Sequence, residues 1–167
     1  SSTPAPTTAQ PSPTAIPTIG GPAACVPPGE PQRGTVTRVV DGDTIDVNID
    51  GTVYRVRYIG IDTPESTAQA EPLAHEVTEA NRTLVEGKDV LLYKDVSETD
   101  RYNRLLRYVV IPGEPPVFVN YELVRRGYVN PSAHPPDGGC AHTFVGGQRL
   151  GRQGPKGLTP VPFKQPP

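Results

Sequence analysis

A two-residue turn, Asp50-Gly51, separates two segments in which apolar and polar residues alternate. The segments read TIDVNI before the turn and TVYRVRYI after it. Alternation with a period of two predicts strands with one buried face, and Asp-Gly between two strands is a strong hairpin signal. Folding about this turn pairs Asp46 with Arg55, so opposite charges face each other across the strands. The chain is therefore expected to contain an antiparallel hairpin whose register is set by its turn.

The acidic residues around this turn suggest a second interpretation, a calcium loop of the helix–loop–helix type. Asp46, Asn48 and Asp50 would occupy loop positions 1, 3 and 5, with Gly51 at position 6. Such a loop needs a bidentate Glu at position 12, where this chain has Arg57. A cation cannot ligate a cation, and no helical periodicity flanks the run. The helix–loop–helix interpretation therefore fails.

A second group of polar residues is expected at the open end of the hairpin. Asp41 and Asp43 precede its first strand, and the hairpin register places Arg57 beside Asp43. The segment GIDTPE, which follows the second strand, contributes Asp62, Thr63 and Glu65. Carboxylates distant in sequence are therefore expected to meet an arginine at one mouth of the hairpin.

The remaining segments predict a mixture of helices and strands. A strand is predicted in GTVTRVV before the hairpin, and helical spacing of apolar residues predicts a helix from Pro72 that ends at Gly87. Further strands are predicted at 89–95 and 105–111, and Asn120 is expected to cap a short helix, YELVRR. Glycines weaken a last helix in HTFVGGQRLGRQGPKGL, each costing about 1 kcal/mol relative to alanine. These elements predict an α+β domain with a small, mostly antiparallel sheet or barrel.

The two ends of the chain differ in composition from this domain. Residues 1–32 are rich in Pro, Thr and Ala and have no periodic apolar face, which predicts a disordered spacer. Residues 159–167 are expected to form a flexible tail, which leaves one domain over 33–158. No membrane span and no signal peptide are recognisable, so any export signal is expected to have been removed or omitted.

Two cysteines, Cys25 and Cys140, flank almost the whole predicted domain. In an oxidising compartment they could form one bridge, which would stabilise the fold by about 4 kcal/mol on the chain-entropy model. In a reducing cell they would be two independent thiols. The Pro/Thr-rich spacer suits an exported protein, so we expect the bridge and a secreted or cell-envelope location.

Four segments carry a resemblance to a known family: DGDT, RVRYIGIDTPE, DRYNRLLRYVV and VNYELVRRGY. In this order and at these spacings they resemble the thermonuclease (staphylococcal-nuclease-like) family over about residues 34–158. DGDT alone is usually just a turn, whereas the four segments together are specific. The resemblance implies a five-stranded oligonucleotide-binding-type β-barrel with about three helices. It also implies calcium-dependent hydrolysis of DNA and RNA, by metal-assisted water attack on the 5′ P–O side to leave 3′-phosphates.

The resemblance also implies a metal site made of oxygen ligands. Asp43 and Asp62 are the implied carboxylate ligands of Ca2+, and Thr63 would offer its backbone carbonyl. Asp41 would be an outer-shell carboxylate. Calcium takes oxygen ligands, and two carboxylates with one carbonyl leave room for water and a phosphate oxygen.

The catalytic and substrate-binding roles follow from the same motifs. Arg57 and Arg104 would hold the scissile phosphate, and Glu65 would orient or deprotonate the attacking water. Arg101 and Tyr102 would bind the substrate beside them. Although the net charge is −2, 12 of the 16 basic residues are arginine, the side chain suited to bidentate phosphate contacts.

The chain departs from the family in one loop, and one alternative function stays open. The segment STAQAEP has no lysine, where the best-known family member has a pair that helps to hold a terminal phosphate; this difference concerns affinity and product specificity, not the core chemistry. Domains of this fold also serve as catalytically inactive modules that bind nucleic acid or peptide, although this chain keeps the implied ligands and arginines.

His75, His134 and His142 are scattered and suggest no zinc site. A monomer acting on single- or double-stranded DNA and RNA is expected.

Overall fold

The computed structural model of the protein describes residues 21–63 and 71–153. The spacer up to residue 20, the tail 159–167 and Glu65 lie outside the described residues. The described strands are β1 (Gln32–Asp41), β2 (Thr44–Ile49), β3 (Thr52–Tyr58), β4 (Ile61–Asp62), β5 (Asp89–Tyr93), β6 (Leu105–Ile111), β7 (Val117–Phe118) and β8 (Asn130–Pro131). The described helices are α1 (Glu71–Val85), α2 (Val119–Arg125) and α3 (Ala141–Gln153), with a short 3-10 helix at Gly21–Cys25.

Five of these strands close into a barrel. β1 pairs with β2 and β5, β2 pairs with β3, and β5 pairs with β6, all in antiparallel orientation. A parallel pairing of β3 with β6 closes the ring. β7 extends the sheet beyond β6, and β4 pairs with β8 in a separate two-stranded sheet. The predicted α+β architecture, a five-stranded barrel of the oligonucleotide-binding type with three helices, is confirmed for the described part of the chain.

The hairpin of β2 and β3 has the predicted register. Asp46 lies opposite Arg55, and the Arg55 Nε donates to an Asp46 carboxylate oxygen at 2.8 Å. Asp50 and Gly51 have φ angles of 54° and 92°. A two-residue hairpin turn of this kind needs positive φ at both central positions, which Asp-Gly provides at low cost.

Apolar side chains fill the barrel and pack against the helices at one end. Val47 and Val56, on the predicted inner face of the hairpin, are fully buried. Fully burying a side chain of this kind contributes about 1.5–3 kcal/mol. Phe144 of α3 packs over Gly60, where a Cβ would lie 2.5 Å from the Phe144 ring and φ is 82°. Replacing Gly60 with alanine would therefore disturb both the backbone and this contact.

Asn120 does not cap α2, so this prediction was wrong. The N-cap residue is Phe118, which makes no side-chain capping bond. Asn120 is buried: its Oδ1 accepts a hydrogen bond from the backbone N–H of Val109, and its Nδ2 donates to the carbonyl of Ile59, both at 2.9 Å. Buried backbone groups are costly without partners, and satisfying two of them outweighs the preference for a cap. Asn120 thereby ties α2 to β6 and to the residue that follows β3.

Cys25 and Cys140 are joined by a disulfide bond, with Cα atoms 5.1 Å apart. The bridge holds the 3-10 helix at Gly21–Cys25 against the domain, and Ala23 of this helix is buried. β1 then begins at Gln32. The described end of the predicted spacer therefore belongs to the folded domain, because the bridge anchors it there.

Candidate active site

The DGDT segment forms the tight connection between β1 and β2. The backbone N–H of Asp43 donates to the Asp41 carboxylate at 3.0 Å. Gly42 is buried, and a Cβ there would lie 2.8 Å from the Thr63 methyl carbon and closer still to Val77 of α1. The connection requires glycine because both neighbours pack directly against it. The result is an exposed Asp41 beside a buried Asp43.

A buried asparagine fixes this connection to α1. Asn81 Nδ2 donates to the Asp41 backbone carbonyl at 2.9 Å, and Asn81 Oδ1 accepts from the Tyr58 hydroxyl at 2.7 Å. Burial raises the pKa of Tyr58, so this hydroxyl stays protonated and donates at neutral pH. Asn81 lies four residues after the buried Val77, on the core-facing stripe of α1. Asn81 was not predicted to contribute to the site, although a polar residue on a core-facing stripe is a signal that the sequence contains.

Arg57 lies at the centre of a charged cluster. Its Nη2 donates to Asp62 Oδ1 at 2.6 Å, and its Nη1 lies 3.4 Å from Asp43 Oδ2. Nη1 also donates to the carbonyl oxygens of Tyr58 and Ile61, at 2.7 and 2.9 Å. One guanidinium group therefore holds together two carboxylates that are distant in sequence.

The ionised form of Asp43 is destabilised in this cluster. Burial raises its pKa to about 6; Arg57 opposes the rise, and the neighbouring Asp41 adds to it. Arg57 therefore compensates the buried charge only in part. A further cation beside Asp43 would stabilise the ionised carboxylate.

The loop before β6 positions a second arginine through local hydrogen bonds. The Asp100 carboxylate accepts from the backbone N–H groups of Tyr102 and Arg104, at 2.8 and 3.0 Å, and from Arg104 Nε at 2.7 Å. Burial alone would raise the pKa of Asp100, but these hydrogen bonds, led by that of the Arg104 backbone, outweigh it and hold the pKa below its ordinary value. Asp100 therefore stays ionised at neutral pH and fixes the direction of Arg104.

Tyr102 forms an exposed ridge in the same loop. Its side chain is 63% exposed, and the guanidinium carbons of Arg101 and Arg104 lie 5.0 and 5.2 Å from its ring centroid. Both distances are within the range of cation–π contacts. Arg101 Nη2 also donates to the Tyr102 hydroxyl at 3.0 Å. Arginine and an aromatic ring together suit the phosphate and the base of a nucleotide.

Arg57 and the loop before β6 meet in one cavity of about 410 Å³. Its lining includes backbone and side-chain atoms of three regions, the end of β3, the loop before β6 and the segment before α3. From these regions come Arg57, Tyr58, Ile59, Gly60, Ile61, Asp100, Arg101, Tyr102, Arg104, Leu106, His134 and Asp137. Both predicted phosphate-binding arginines therefore line one cavity, and Arg57 also contacts the carboxylates of Asp43 and Asp62.

Asp43 and Asp62 lie beside Arg57, and Arg57 lines one cavity with Arg101, Tyr102 and Arg104. Thr63 follows Asp62 and packs beside Gly42, so it lies next to the carboxylate cluster. Glu65 lies outside the described residues, and its predicted role stays a prediction. The ligand roles of Asp43, Asp62 and Thr63 also stay predictions.

The donor set fits a hard divalent cation. Asp43 and Asp62 offer carboxylate oxygens, and the charge on Asp43 is only partly compensated. Among residues 21–63 and 71–153, no three His, Cys, Asp or Glu side chains are arranged to hold a metal ion by themselves. A cation bound here would therefore need backbone or water oxygens as well, which calcium commonly accepts.

Two cavity residues were not predicted to contribute to the site. His134 lines the cavity and has its Nε2 3.1 Å from the Ser132 hydroxyl, whereas the sequence indicated only that the scattered histidines suggest no zinc site. Asp137 also lines the cavity, and its Oδ1 accepts hydrogen bonds from the backbone N–H groups of Val96 and Ser97. No local pattern links this segment to the arginines, because only the folded chain brings it to the cavity.

Comparison with known proteins identifies similar chains over the same region. The model of the family described as staphylococcal nuclease homologue matches residues 55–139, just over half of the chain. The thermonuclease of Staphylococcus hyicus is 34% identical over 109 residues, which are 64% of this chain and 63% of the relative. The SPbeta prophage-derived endonuclease of Bacillus subtilis is 40% identical over 84 residues, 48% of this chain and 28% of the relative.

A third relative, an uncharacterized protein of Bacillus anthracis, is 38% identical over 103 residues, 59% of this chain and 47% of the relative. The chain thus spans less than two thirds of the length of each of these relatives. No helix within the described residues is both long and apolar enough to cross a membrane.

Proposed function

Since this chain belongs to the staphylococcal nuclease homologue family, we propose that it is a nuclease that hydrolyses phosphodiester bonds in single- or double-stranded DNA and RNA. The carrying observation is that Arg57 contacts both Asp43 and Asp62 and lines a cavity together with Arg104. Groups suited to a cation and to a phosphate therefore lie side by side. The names of the similar proteins, a thermonuclease and an endonuclease, support the same reaction class.

Calcium is the proposed cofactor. Asp43, Asp62 and the backbone carbonyl of Thr63 are the proposed ligands, with Asp41 in the outer shell. The partly compensated charge of Asp43 supports this assignment, because a bound cation would stabilise the ionised carboxylate. When bound, the cation would offset negative charge developing at phosphorus and lower the pKa of a coordinated water.

The two arginines would stabilise the transition state. Arg57 is oriented by Asp62 and Arg104 by Asp100, so each guanidinium is held in place before substrate arrives. Preorganised donors of this kind stabilise charge that develops on the equatorial phosphate oxygens.

Glu65 is the proposed base, which takes a proton from the attacking water. The water oxygen bonds to phosphorus, the bond from phosphorus to the 5′ oxygen breaks, and the departing 5′ oxygen takes a proton from solvent. The products are a 3′-phosphate and a 5′-hydroxyl. Arg101 and Tyr102 would bind the substrate beside the reacting phosphate, and their exposure supports that role.

The disulfide between Cys25 and Cys140 supports a location outside the cytoplasm, secreted or in the cell envelope. Such bonds form and persist mainly in oxidising compartments. We also propose that a monomer suffices for activity, because Arg57 and Arg104 of a single copy line one cavity.

Incubation with labelled single- and double-stranded DNA and RNA, with calcium or with a chelator, tests the proposal. Cleavage is expected only with calcium. Glu65→Gln and Arg104→Lys should each reduce the rate by about a hundredfold or more, since each removes a group aimed at the reacting phosphate or water. Glu30→Gln and Arg149→Lys, made at exposed positions that do not line the cavity, are the matched controls and should keep the wild-type rate.

Each part of the proposal has its own contrary outcome. Undiminished cleavage in chelator would exclude calcium, and full activity of Glu65→Gln would exclude the proposed base. Calcium-dependent binding of nucleic acid without any cleavage would favour the inactive binding module instead.

A further inference from the structure

A second, more open groove of about 630 Å³ lies beside the candidate active site. One wall is the outer face of the β2–β3 hairpin and the other is the loop before β6. The lining residues are Asp46, Val53, Arg55, Tyr102, Asn103 and Arg104. From the sequence, the hairpin residues among them were expected to have only a structural role.

The groove adjoins the first cavity. Tyr102 and Arg104 line both spaces, so these two side chains lie at the border between them. A polynucleotide strand whose phosphate lies beside Arg104 has to continue away from the reacting bond. Crossing Tyr102 takes that strand directly into the groove.

The charges in the groove are arranged to favour an anion. The Arg55 side chain holds the Asp46 carboxylate with two hydrogen bonds, at 2.8 and 3.2 Å, and Arg38 lies 4.0 Å from the same carboxylate. The Asp46 side chain is only 12% exposed, whereas those of Arg55 and Arg38 are 44% and 66% exposed. The negative charge is therefore covered. Of the two guanidinium groups beside Asp46, only that of Arg55 lines the groove, and with Arg104 it gives the lining a net positive charge.

The groove also offers apolar and aromatic surface. Val53 is 54% exposed on β3, and Tyr102 faces it across the groove with the two neighbouring guanidinium groups against its ring. Nucleobases stack on aromatic rings and on arginine, and this stacking tolerates any base. Asn103 adds an amide that can hydrogen-bond a base edge.

We propose that this groove binds one nucleotide of the single-stranded substrate, next to the nucleotide whose phosphate is cleaved. Its base lies between Val53 and Tyr102, and its phosphate lies beside Arg55. The proposal rests on the proposed function of the adjacent cavity and defines a subsite that sets how long a substrate the protein prefers.

The test compares a dinucleotide with a single-stranded oligonucleotide of about twelve nucleotides, within the roughly 4–16 nucleotides that one barrel of this type spans. Val53→Glu places a negative charge in the groove and should lower the ratio of kcat/KM for the long substrate to that for the dinucleotide by about tenfold. Asn103→Gly removes the amide without straining the backbone, whose φ is 66°, and should lower the same ratio less. Val145→Glu, at an exposed valine of α3 outside both spaces, is the matched control.

Binding of the labelled oligonucleotide in chelator, followed by fluorescence anisotropy, gives a readout that does not require cleavage. Weaker binding by Val53→Glu but not by Val145→Glu is expected. An unchanged substrate ratio and unchanged binding in Val53→Glu would overturn the subsite while leaving the nuclease proposal intact. Groove-dependent binding without any cleavage in calcium would instead overturn the nuclease proposal and leave the subsite standing.

Discussion

Replacing Asp43 with asparagine is expected to stabilise the metal-free protein at neutral pH. Asp43 is only 5% exposed, and burial, opposed by Arg57, raises its pKa from 3.8 to about 6. One pKa unit corresponds to about 1.4 kcal/mol, so the ionised carboxylate lowers the free energy of unfolding by about 3 kcal/mol. Asparagine removes the charge but keeps an oxygen for the Thr44 hydroxyl, which donates to the Asp43 side chain at 2.9 Å.

The expected gain depends on pH with a definite sign. Below the ordinary pKa of 3.8, the folded and the unfolded chains both hold the proton, so the charge costs nothing. Above about pH 6, Asp43 is ionised in both the folded and the unfolded chains, so the buried charge destabilises the folded wild type by the full amount. The stability of the wild type should therefore drop relative to that of Asp43→Asn as pH rises through this interval, and the difference should stay constant above it.

Urea unfolding in chelator, at about pH 4 and about pH 8, measures this difference. Asp50→Asn is the matched control, because Asp50 is an exposed turn residue and Asn-Gly suits the turn as well as Asp-Gly. Added calcium should stabilise the wild type and stabilise Asp43→Asn much less, since a ligand stabilises only the state that binds it. Lower stability of Asp43→Asn than of the wild type, in chelator at neutral pH, would mean that Arg57 more than compensates the burial and would refute the reasoning.

Three further predictions concern the groups that hold the site in place. Asn81→Ala should lower the free energy of unfolding by about 2–4 kcal/mol in urea, because it leaves the buried Tyr58 hydroxyl and the part-buried Asp41 carbonyl without their Asn81 partner; an unchanged midpoint would contradict this. Asp100→Asn should slow cleavage, because Arg104 loses the carboxylate that orients it. The variant should also be less stable than the wild type at neutral pH, and this difference should vanish in strong acid, because Asp100 stabilises the fold only while it is ionised. Cys25→Ser should lower the free energy of unfolding by about 4 kcal/mol in thermal or urea unfolding, because it removes the bond to Cys140 that closes a loop of 115 residues. Equal stability of variant and wild type would show that the disulfide does not stabilise the fold.

The hairpin shows how far local sequence could predict the site. Its turn and its alternation are properties of neighbouring residues, so both the strand register and the Asp46–Arg55 pair followed from the sequence. The same register placed Arg57 beside Asp43, and the structure has this contact. By contrast, only the family resemblance assigned a role to Arg104 in the loop before β6, and the hydrogen bonds that fix Arg104 to Asp100 depend on the turn that the folded loop makes.

Asn120 and Asn81 show where local reasoning failed. Asparagine is favoured as a cap at the start of a helix, but Asn120 instead hydrogen-bonds two buried backbone groups. Leaving those groups without partners would destabilise the fold more than leaving the helix uncapped. Asn81 has the same amide chemistry, and its role depends on a strand end and a tyrosine that are distant in the sequence. Propensity describes an isolated segment, whereas the need to satisfy buried polar groups arises only after the segments have packed.

The sequence by itself determined the pairing of the hairpin strands and the residue types at its open end, because turn chemistry and alternation act between neighbours. Only the tertiary structure decided that β3 closes on β6, that burial raises the pKa of Asp43, and that Arg55 borders a groove that shares lining residues with the cavity. These features depend on which distant segments meet and on how much water they exclude. Burial and long-range contact change the energy of a charge by several kcal/mol, and no local pattern encodes them.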